Sequence, residues 1–198
     1  MIRDTLTAAS LKAVTNKTVY VAMTSALPPP KVVRDSNLDY SLAWSRLHCS
    51  VVDARARNVM YLLIHNKLPV QERLFRIKLR NDPYCQSCVG AEIADIEHFF
   101  SQCYGMVGTW TLVKKEILKY GKFHNNVEDW RILNLLLPKS RLDKELVWLI
   151  SSYVLYVWDS IYTRGADVKA DQFFGFLRFK YKELQSKSIR LENLQMFN

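Results

Sequence analysis

Three cysteines and one histidine fall close together in the chain: Cys85, Cys88, His98 and Cys103. Their spacing is Cys-x2-Cys-x9-His-x4-Cys. Thiolates and imidazole are the donors that zinc takes in structural sites, and four protein donors leave no position for a water molecule. The pattern therefore predicts one structural zinc ion. A Cys-x2-Cys turn would supply two donors, and a following helix would present the other two near one face.

Two other interpretations of this cluster remain open. It could be a chance grouping, or Cys85 and Cys88 could form a redox pair, although His98 and Cys103 would then have no role. Cys49, the fourth cysteine, is predicted to be a small, buried, apolar residue. The other histidines are predicted to be core or surface residues rather than ligands: His48, His65 and His124.

The composition describes a globular, basic protein. Among 198 residues, 28 are Lys or Arg and 19 are Asp or Glu, which gives a net charge of +9. Such an excess suits a polyanionic partner, either nucleic acid or an anionic membrane surface. The N-terminus does not read as a signal peptide, and the longest apolar stretch, Leu146 to Trp158, is shorter than the roughly 20 residues that a membrane span needs. We expect a nuclear or cytoplasmic protein that is neither secreted nor membrane-bound.

The apolar periodicity predicts an all-α fold, an irregular helical domain stapled by a CCHC zinc knuckle. Residues 1–40 would form an N-terminal helix (Asp4 to Val14) and a Pro-rich connector, in which Thr18 to Ala22 could be a strand or a helical turn. Residues 41–198 would form the zinc-binding domain, with the knuckle at 81–104 and the C-terminal helices at 105–190. The helices predicted in this domain are 53–65, 69–79, 105–120, 129–137, 141–164 and 168–188, with 141–164 at the centre of the core.

The knuckle region resembles a known family on three segments: Asn58 to Leu68 (NVMYLLIHNKL), Asn81 to Cys88 (NDPYCQSC) and Ile96 to Cys103 (IEHFFSQC). From about Trp44 to Cys103, the chain looks like the reverse-transcriptase zinc-binding domain that follows the polymerase in non-LTR, LINE-type retrotransposons. Ala94 stands where the family usually has an acidic residue. The later WDSIYTR segment, 158–164, is similar to the family's closing helix.

The resemblance implies that Cys85, Cys88, His98 and Cys103 bind zinc and that the domain helps a polymerase to hold its RNA template or target DNA. Polymerase chemistry needs paired aspartates for two metal ions, and this sequence has no adjacent Asp-Asp pair. No nucleophile, phosphate loop or endonuclease motif stands out either. We therefore expect a noncatalytic chain, a detached C-terminal piece of such an element, with a reverse transcriptase as a separately supplied partner.

Basic residues precede the knuckle. Arg73, Arg76 and Arg80 lie at i, i+3 and i+7 on one predicted helix and therefore form one stripe, and Lys78 lies to one side. Such a stripe could contact phosphates of RNA or DNA, or it could be a solvated face. Three apolar residues are predicted to be buried on another face: Val70, Leu74 and Ile77. Three further basic residues could extend the stripe: Arg55, Arg57 and Lys67.

Two classes of function follow from the sequence. The first is a noncatalytic nucleic-acid-binding module. The second is a protein–protein adaptor whose basic face is incidental. A second basic group near the C-terminus is predicted to be an ordinary solvent-exposed face: Arg178, Lys180, Lys182, Lys187 and Arg190.

Overall fold

The structure, a computed structural model, describes residues 40–141, 143–163, 168–189 and 191. Within these ranges it is mostly helical and contains no strand, only one antiparallel bridge between Tyr84 and Ile93. The predicted all-α class is confirmed. The predicted elements before residue 40 lie outside the described residues. The described α-helices are α1 (Ser41–Leu47), α2 (Ala54–Ile64), α3 (Gln71–Arg76), α4 (Tyr104–Gly121), α5 (Asp129–Leu133), α6 (Asp143–Trp158) and α7 (Ala170–Ser186).

Helix α6 lies at the centre of the core, as its sequence predicts. Nearly every side chain along it is buried, and Tyr153, Val154 and Val157 are completely covered. It contacts α1, α2, α4, α5 and α7. It ends earlier than predicted, and a π-helical turn, Asp159–Thr163, continues from it. A helix that is apolar on all sides is stable only when other elements surround it, which is the arrangement seen.

Several helices end in the same way, with a non-glycine residue in the left-handed conformation. Asn66 follows α2 with φ 51°, and the amides of Asn66 and Lys67 donate hydrogen bonds to the carbonyls of Leu63 and Leu62. This pair of bonds is the Schellman arrangement. The other described non-glycine residues with positive φ follow the last turns of α3, α4, α5 and α7: Lys78, Lys122, Leu135 and Ser188.

At the end of α4, two neighbouring residues have different roles: one takes the left-handed conformation, and the other leaves room for a close contact. The left-handed residue is Lys122, with φ 54°, and not the glycine that precedes it, Gly121. Gly121 is needed for close approach instead, since a Cβ atom there would lie 2.1–2.7 Å from ring atoms of Phe123. A side chain in the left-handed region costs about 1–2 kcal/mol, whereas glycine adopts it freely.

Substitutions at this helix end should therefore change stability in opposite directions. We expect Lys122→Gly to raise the free energy of unfolding by about 1 kcal/mol, because it relieves the left-handed strain. Gly121→Ala should lower it, because the Phe123 ring must move. Denaturant titration of the zinc-bound protein measures both. Lys119→Gly, inside the same helix and also exposed, is the control and should lose about 1 kcal/mol. If Lys122→Gly lowers stability as much as Lys119→Gly, the left-handed residue carries no strain.

Arg46 is a buried charge that the sequence does not reveal. Its side chain is 4% exposed and bridges α1 to the segment that leads into α6. Its guanidinium donates to the carbonyl oxygens of Leu135 (2.7 Å), Leu137 (2.6 Å) and Pro138 (3.0 Å), and to both carboxylate oxygens of Asp143. Buried charges are tolerated when they are fully hydrogen-bonded, and this one joins segments far apart in the chain.

The second basic group is not a uniform solvent-exposed face. Lys180 is partly buried and pairs with Asp53 at 2.8 Å and with Glu183 at 3.1 Å. Asp53 is also the N-cap of α2, where its carboxylate accepts the Ala56 amide at 2.8 Å. Burial opposes ionisation of Asp53, but the hydrogen bonds from Ala56 and Lys180 outweigh it and lower the pKa of that carboxyl. Lys180 therefore joins α7 to the start of α2.

None of the described helices combines the length and the apolar composition required to cross a lipid bilayer.

Candidate metal centre

The first two zinc donors lie on a short hairpin. The Cys85 amide donates to the Glu92 carbonyl at 2.8 Å, and the Ala94 amide donates to the Pro83 carbonyl at 2.9 Å. Before the hairpin, the Asp82 carboxylate accepts the Tyr84 amide at 3.1 Å, the Asx turn that an Asn-Asp-Pro sequence favours. The hairpin therefore holds the loop from Cys85 to Cys88 in a fixed place.

The other two donors do not lie on one α-helix. His98 is the first residue of a π-helical turn, and Cys103 is the residue that follows it. The turn spans His98–Gln102, and the Cys103 amide donates to the His98 carbonyl at 2.7 Å, an i to i+5 bond. The predicted single helix is wrong, because Cys103 leaves the helical conformation (ψ 137°) and the next residue begins α4. In an α-helix, residues five apart point about 140° apart around the axis. The wider turn brings His98 and Cys103 to the same side.

The four side chains converge on one point. Their donor atoms all lie within 4.8 Å of one another. The Sγ atom of Cys103 lies 3.7 Å from that of Cys85 and 3.9 Å from that of Cys88, and the Cys88 Sγ lies 3.5 Å from Nε2 of His98. Tetrahedral zinc separates two sulfurs by about 3.8 Å, and a sulfur and a nitrogen by about 3.6 Å. The four residues thus form a site for a single zinc ion with every coordination position filled by protein.

The crowding of the donors shifts the pKa values of two thiols in opposite directions. Burial raises the pKa of Cys103, and its contacts with Cys85 and Cys88 add to this, bringing it to about 12. For Cys85 burial acts in the same direction, but hydrogen bonds from His98 and from the Ser87 amide outweigh it and lower its pKa to about 7. A divalent cation would stabilise the thiolate form of both Cys85 and Cys103, since coordinated thiols lose their protons.

Backbone groups around the site complete its hydrogen bonding. The Tyr104 amide points at the Cys88 Sγ at 3.5 Å. The His98 amide donates to the Asp95 carboxylate at 2.8 Å, which holds the start of the π-helical turn. The Glu72 amide donates to the Ala94 carbonyl at 3.1 Å, so the hairpin is tied to α3. Such contacts fix the orientation of the donors and of their sulfur lone pairs.

A hydrogen bond between the π-helical turn and α6 anchors the core side of the site. Phe100, in the middle of the π-helical turn, is completely buried. Its carbonyl accepts a hydrogen bond from the hydroxyl of Tyr153 on α6. Burial raises the pKa of Tyr153 far above its usual range, so the hydroxyl stays protonated and remains a donor. A tyrosine on an apolar helix carries no sequence signal for this role.

Removing the Tyr153 hydroxyl should loosen the zinc site from the core. We expect Tyr153→Phe to lower the free energy of unfolding by about 1–3 kcal/mol, because the Phe100 carbonyl is left buried without this donor. Hydrogen exchange of residues 98–103 should accelerate, while zinc stoichiometry stays at one. Tyr120→Phe, on a partly exposed tyrosine of α4, is the matched control and should cost much less. Equal losses in the two variants would contradict this anchoring role.

The predicted basic stripe is not one helical face. Arg73 and Arg76 lie on α3, but α3 ends at Arg76, and Lys78 takes the left-handed conformation with φ 62°. The Schellman bonds there, from Lys78 to Phe75 and from Leu79 to Leu74, turn the chain away before Arg80. Three exposed cations remain near the end of α3 and the turn that follows it: Arg76, Lys78 and Arg80.

The apolar residues predicted for the opposite face have separate environments. Val70 is buried, as expected, and Leu74 is half-buried. Ile77 is 50% exposed, which corrects the prediction that it is in the core. Ile77 comes directly after the last residue of α3, so its side chain no longer follows the buried face of the helix.

The three basic residues proposed to extend the stripe have different surroundings. Arg57 donates to the carbonyls of Leu47 (3.1 Å) and Val52 (3.0 Å), so it joins α1 to α2. Arg55 pairs with Asp159 at 2.8 Å. Lys67 is exposed.

Arg73, which belongs to the predicted stripe itself, donates to the Asn66 carbonyl at 3.3 Å. Neither Lys67 nor Arg73 forms an ion pair within the described part of the chain.

Fold and site together define a helical protein with a four-donor site suited to one structural zinc ion. Residues 19–110 match the family model described as zinc-binding in reverse transcriptase, a segment that contains all four donors. This segment is therefore similar to the zinc-binding domain of reverse transcriptases, and the resemblance seen in the sequence is confirmed. Neither a search of curated proteins nor a search of solved structures gave a match.

Proposed function

We propose that the protein is a noncatalytic nucleic-acid-binding module derived from the C-terminal part of a non-LTR retrotransposon reverse transcriptase. The observation that carries the proposal is the match to a reverse-transcriptase zinc-binding domain over a segment whose donors converge on one site. Polymerases work on RNA and DNA, so a domain of this kind has a polyanion beside it. A reverse transcriptase supplied separately is the protein partner we propose.

The charge around the zinc site supports this function. Arg76, Lys78 and Arg80 are exposed beside the hairpin, and the one ion pair they form in the described ranges is that of Arg76 with Glu72. Lysine and arginine at such a surface displace counterions from a phosphate backbone, which favours association at low salt. The contacts would be to phosphates rather than to base edges, so they would position nucleic acid without reading its sequence.

A noncatalytic role agrees with the coordination. Catalytic zinc sites keep one position for water or substrate, whereas four protein donors occupy this one. In our proposal the metal therefore holds the knuckle in shape beside the basic surface.

Charge reversal tests the proposal. We expect the triple variant Arg76→Glu, Lys78→Glu, Arg80→Glu to bind duplex DNA and structured RNA more weakly and with a flatter dependence on salt. Each lost phosphate contact should reduce the slope of log K against log salt by about 0.9 for duplex DNA. Filter binding across a salt series measures the slope.

A second charge reversal is the control. Lys115→Glu, Lys119→Glu and Lys122→Glu change exposed residues toward the end of α4 that is remote from the zinc site. If both triple variants flatten the slope equally, the attraction comes from overall charge, and the basic surface next to the knuckle has no special role. If the wild-type protein binds no nucleic acid at physiological salt, the proposed function is wrong.

An adaptor function is the alternative, and exposed apolar residues favour it. Phe75 is 44% exposed, Ile77 50% and Leu79 69%, and they alternate with the cations at the end of α3. Exposed apolar patches often mark protein interfaces. A stable protein complex that is lost on Ile77→Ser and Leu79→Ser, together with an absence of nucleic-acid binding, would support this alternative.

A further inference from the structure

Three aromatic rings form a cluster on the surface of α1 and α2, and we call them the aromatic cluster: Trp44, Tyr61 and His65. The ring centroids of Tyr61 and His65 lie 4.4 Å apart, those of Trp44 and His65 5.1 Å, and those of Trp44 and Tyr61 5.9 Å. Tyr61 is 44% exposed, and the other two rings are half-buried. Packing between α1 and α2 accounts for the buried part of these rings but leaves the solvent-exposed part unexplained.

The cluster presents uncharged rings at neutral pH. Burial lowers the pKa of His65 below its usual value, and the nearby charge of Lys67 lowers it further. The His65 ring is therefore mainly uncharged at pH 7, like the rings of Trp44 and Tyr61. Tyrosine and tryptophan combine large apolar faces with one polar atom, a combination that suits surfaces that bind ligands in water.

Cations lie immediately beside the cluster. Lys67 follows His65 by two residues and is exposed. The hydrogen bond from Arg73 to the Asn66 carbonyl (3.3 Å) places its guanidinium at the same end of α2. No ion pair with a carboxylate neutralises either residue in the described ranges. Aromatic rings next to cations that have no acidic partner suit a ligand with both flat apolar groups and regularly spaced anions.

Single-stranded nucleic acid has this chemistry. We propose that the aromatic cluster stacks unpaired bases of single-stranded RNA or DNA while Lys67 and Arg73 contact the flanking phosphates. A duplex offers the phosphates but keeps its bases stacked inside, so it cannot cover the rings. This inference rests on the proposed function and adds that the preferred ligand is unpaired.

The test compares two substitutions of Tyr61, whose exposure allows either without loss of the core. Tyr61→Leu keeps an apolar side chain but removes the ring, and Tyr61→Phe keeps the ring. The probes are oligothymidylate and oligouridylate of about 12 nucleotides, within the site sizes of such proteins, and a DNA duplex of equal length. We expect Tyr61→Leu to weaken single-strand binding about tenfold, Tyr61→Phe to change it less than about twofold, and duplex binding to stay the same in both.

Each outcome decides a separate point. Wild-type affinity of Tyr61→Leu for single strands overturns the stacking proposal, and so does an equal loss on duplex and single strands. If single-strand affinity is unchanged but charge reversal at Arg76, Lys78 and Arg80 still weakens binding, the proposed function stands and this inference fails. No binding to any probe means that the proposed function itself fails.

Saturable binding of a proline-rich peptide that only Tyr61→Leu abolishes, with nucleic-acid affinity unchanged, would identify a polypeptide site and overturn the inference. Zinc content and melting temperature confirm that both variants are folded.

Discussion

Chelation of zinc is expected to unfold residues 81–104 while the helices around α6 keep their structure. Few backbone hydrogen bonds hold the hairpin together, and two of them run from Cys85 to Glu92 and from Ala94 to Pro83. Most of its side chains are exposed. A hairpin of this size is not stable alone. Structural zinc contributes about 10–16 kcal/mol in small sites, far more than these bonds. By contrast, Val154 and Val157 in the core around α6 are completely buried.

Hydrogen exchange before and after chelation measures this result. Amides of residues 81–104 should lose their protection in metal-free protein and regain it when zinc is added back, whereas amides of α6 should stay protected. Unchanged protection of 81–104 in metal-free protein would show that the zinc does not hold the knuckle together. Loss of protection throughout α6 would show that the core depends on the metal as well.

Cysteine substitutions separate the zinc donors from the remaining cysteine. Cys88→Ser should reduce bound zinc to well below one ion per chain, because serine replaces a thiolate donor in a four-coordinate site. Cys49→Ser should leave one ion bound, since Cys49 lies outside the donor set. Metal analysis of desalted protein gives the stoichiometry. One full equivalent in Cys88→Ser would contradict the proposed coordination.

Replacement of Arg46 is expected to cause the largest loss of stability after removal of zinc. Arg46→Met keeps the apolar stem but removes every donor to Leu135, Leu137, Pro138 and Asp143. Breaking a buried ion pair by removing one partner costs about 3–5 kcal/mol. At this chain length each kcal/mol lowers the melting temperature by roughly 2–4 °C. We expect Arg46→Met to lower the free energy of unfolding of the zinc-bound protein by about 3–5 kcal/mol.

Asp143→Asn is the matched control for Arg46. It removes the carboxylate charge but leaves the three carbonyl acceptors, and Asp143 is 30% exposed, so water can reach it. We expect its cost to be well below that of Arg46→Met. Arg46→Lys should also destabilise the protein, because an ammonium group cannot reproduce the planar set of guanidinium donors. If Arg46→Met is as stable as the wild-type protein, these hydrogen bonds contribute nothing net.

The zinc site could be predicted from the sequence because donor type and spacing are properties of the chain itself. A thiolate or imidazole binds zinc wherever the fold brings it, and a Cys-x2-Cys turn needs only local geometry. The π-helical turn could not be predicted, because the pattern of apolar residues does not distinguish it from an α-helix. The Phe100 carbonyl is held by Tyr153, a residue distant in the chain.

The basic residues show where sequence patterns stop being informative. Arg46, Arg55 and Arg57 have the same charge as Arg76 and Arg80, and a sequence pattern treats them alike. In the structure, Arg46 and Arg57 donate to backbone carbonyls and Arg55 meets a carboxylate, whereas Arg80 is exposed. The early end of α3 depends on Lys78 taking the left-handed conformation, which lysine adopts rarely.

The amino-acid sequence alone determined the donor set, the helical class and the central position of α6, since donor chemistry and apolar periodicity are encoded locally. The tertiary structure alone decided which basic side chains are exposed, how His98 and Cys103 come to face the same point, and which aromatic rings meet on the surface. The burial of Arg46 and the meeting of the rings depend on contacts between residues far apart in the chain, such as that of Arg46 with Asp143. The facing of His98 and Cys103 depends on a π-helical turn that apolar periodicity does not distinguish from an α-helix. Local patterns contain no record of such contacts.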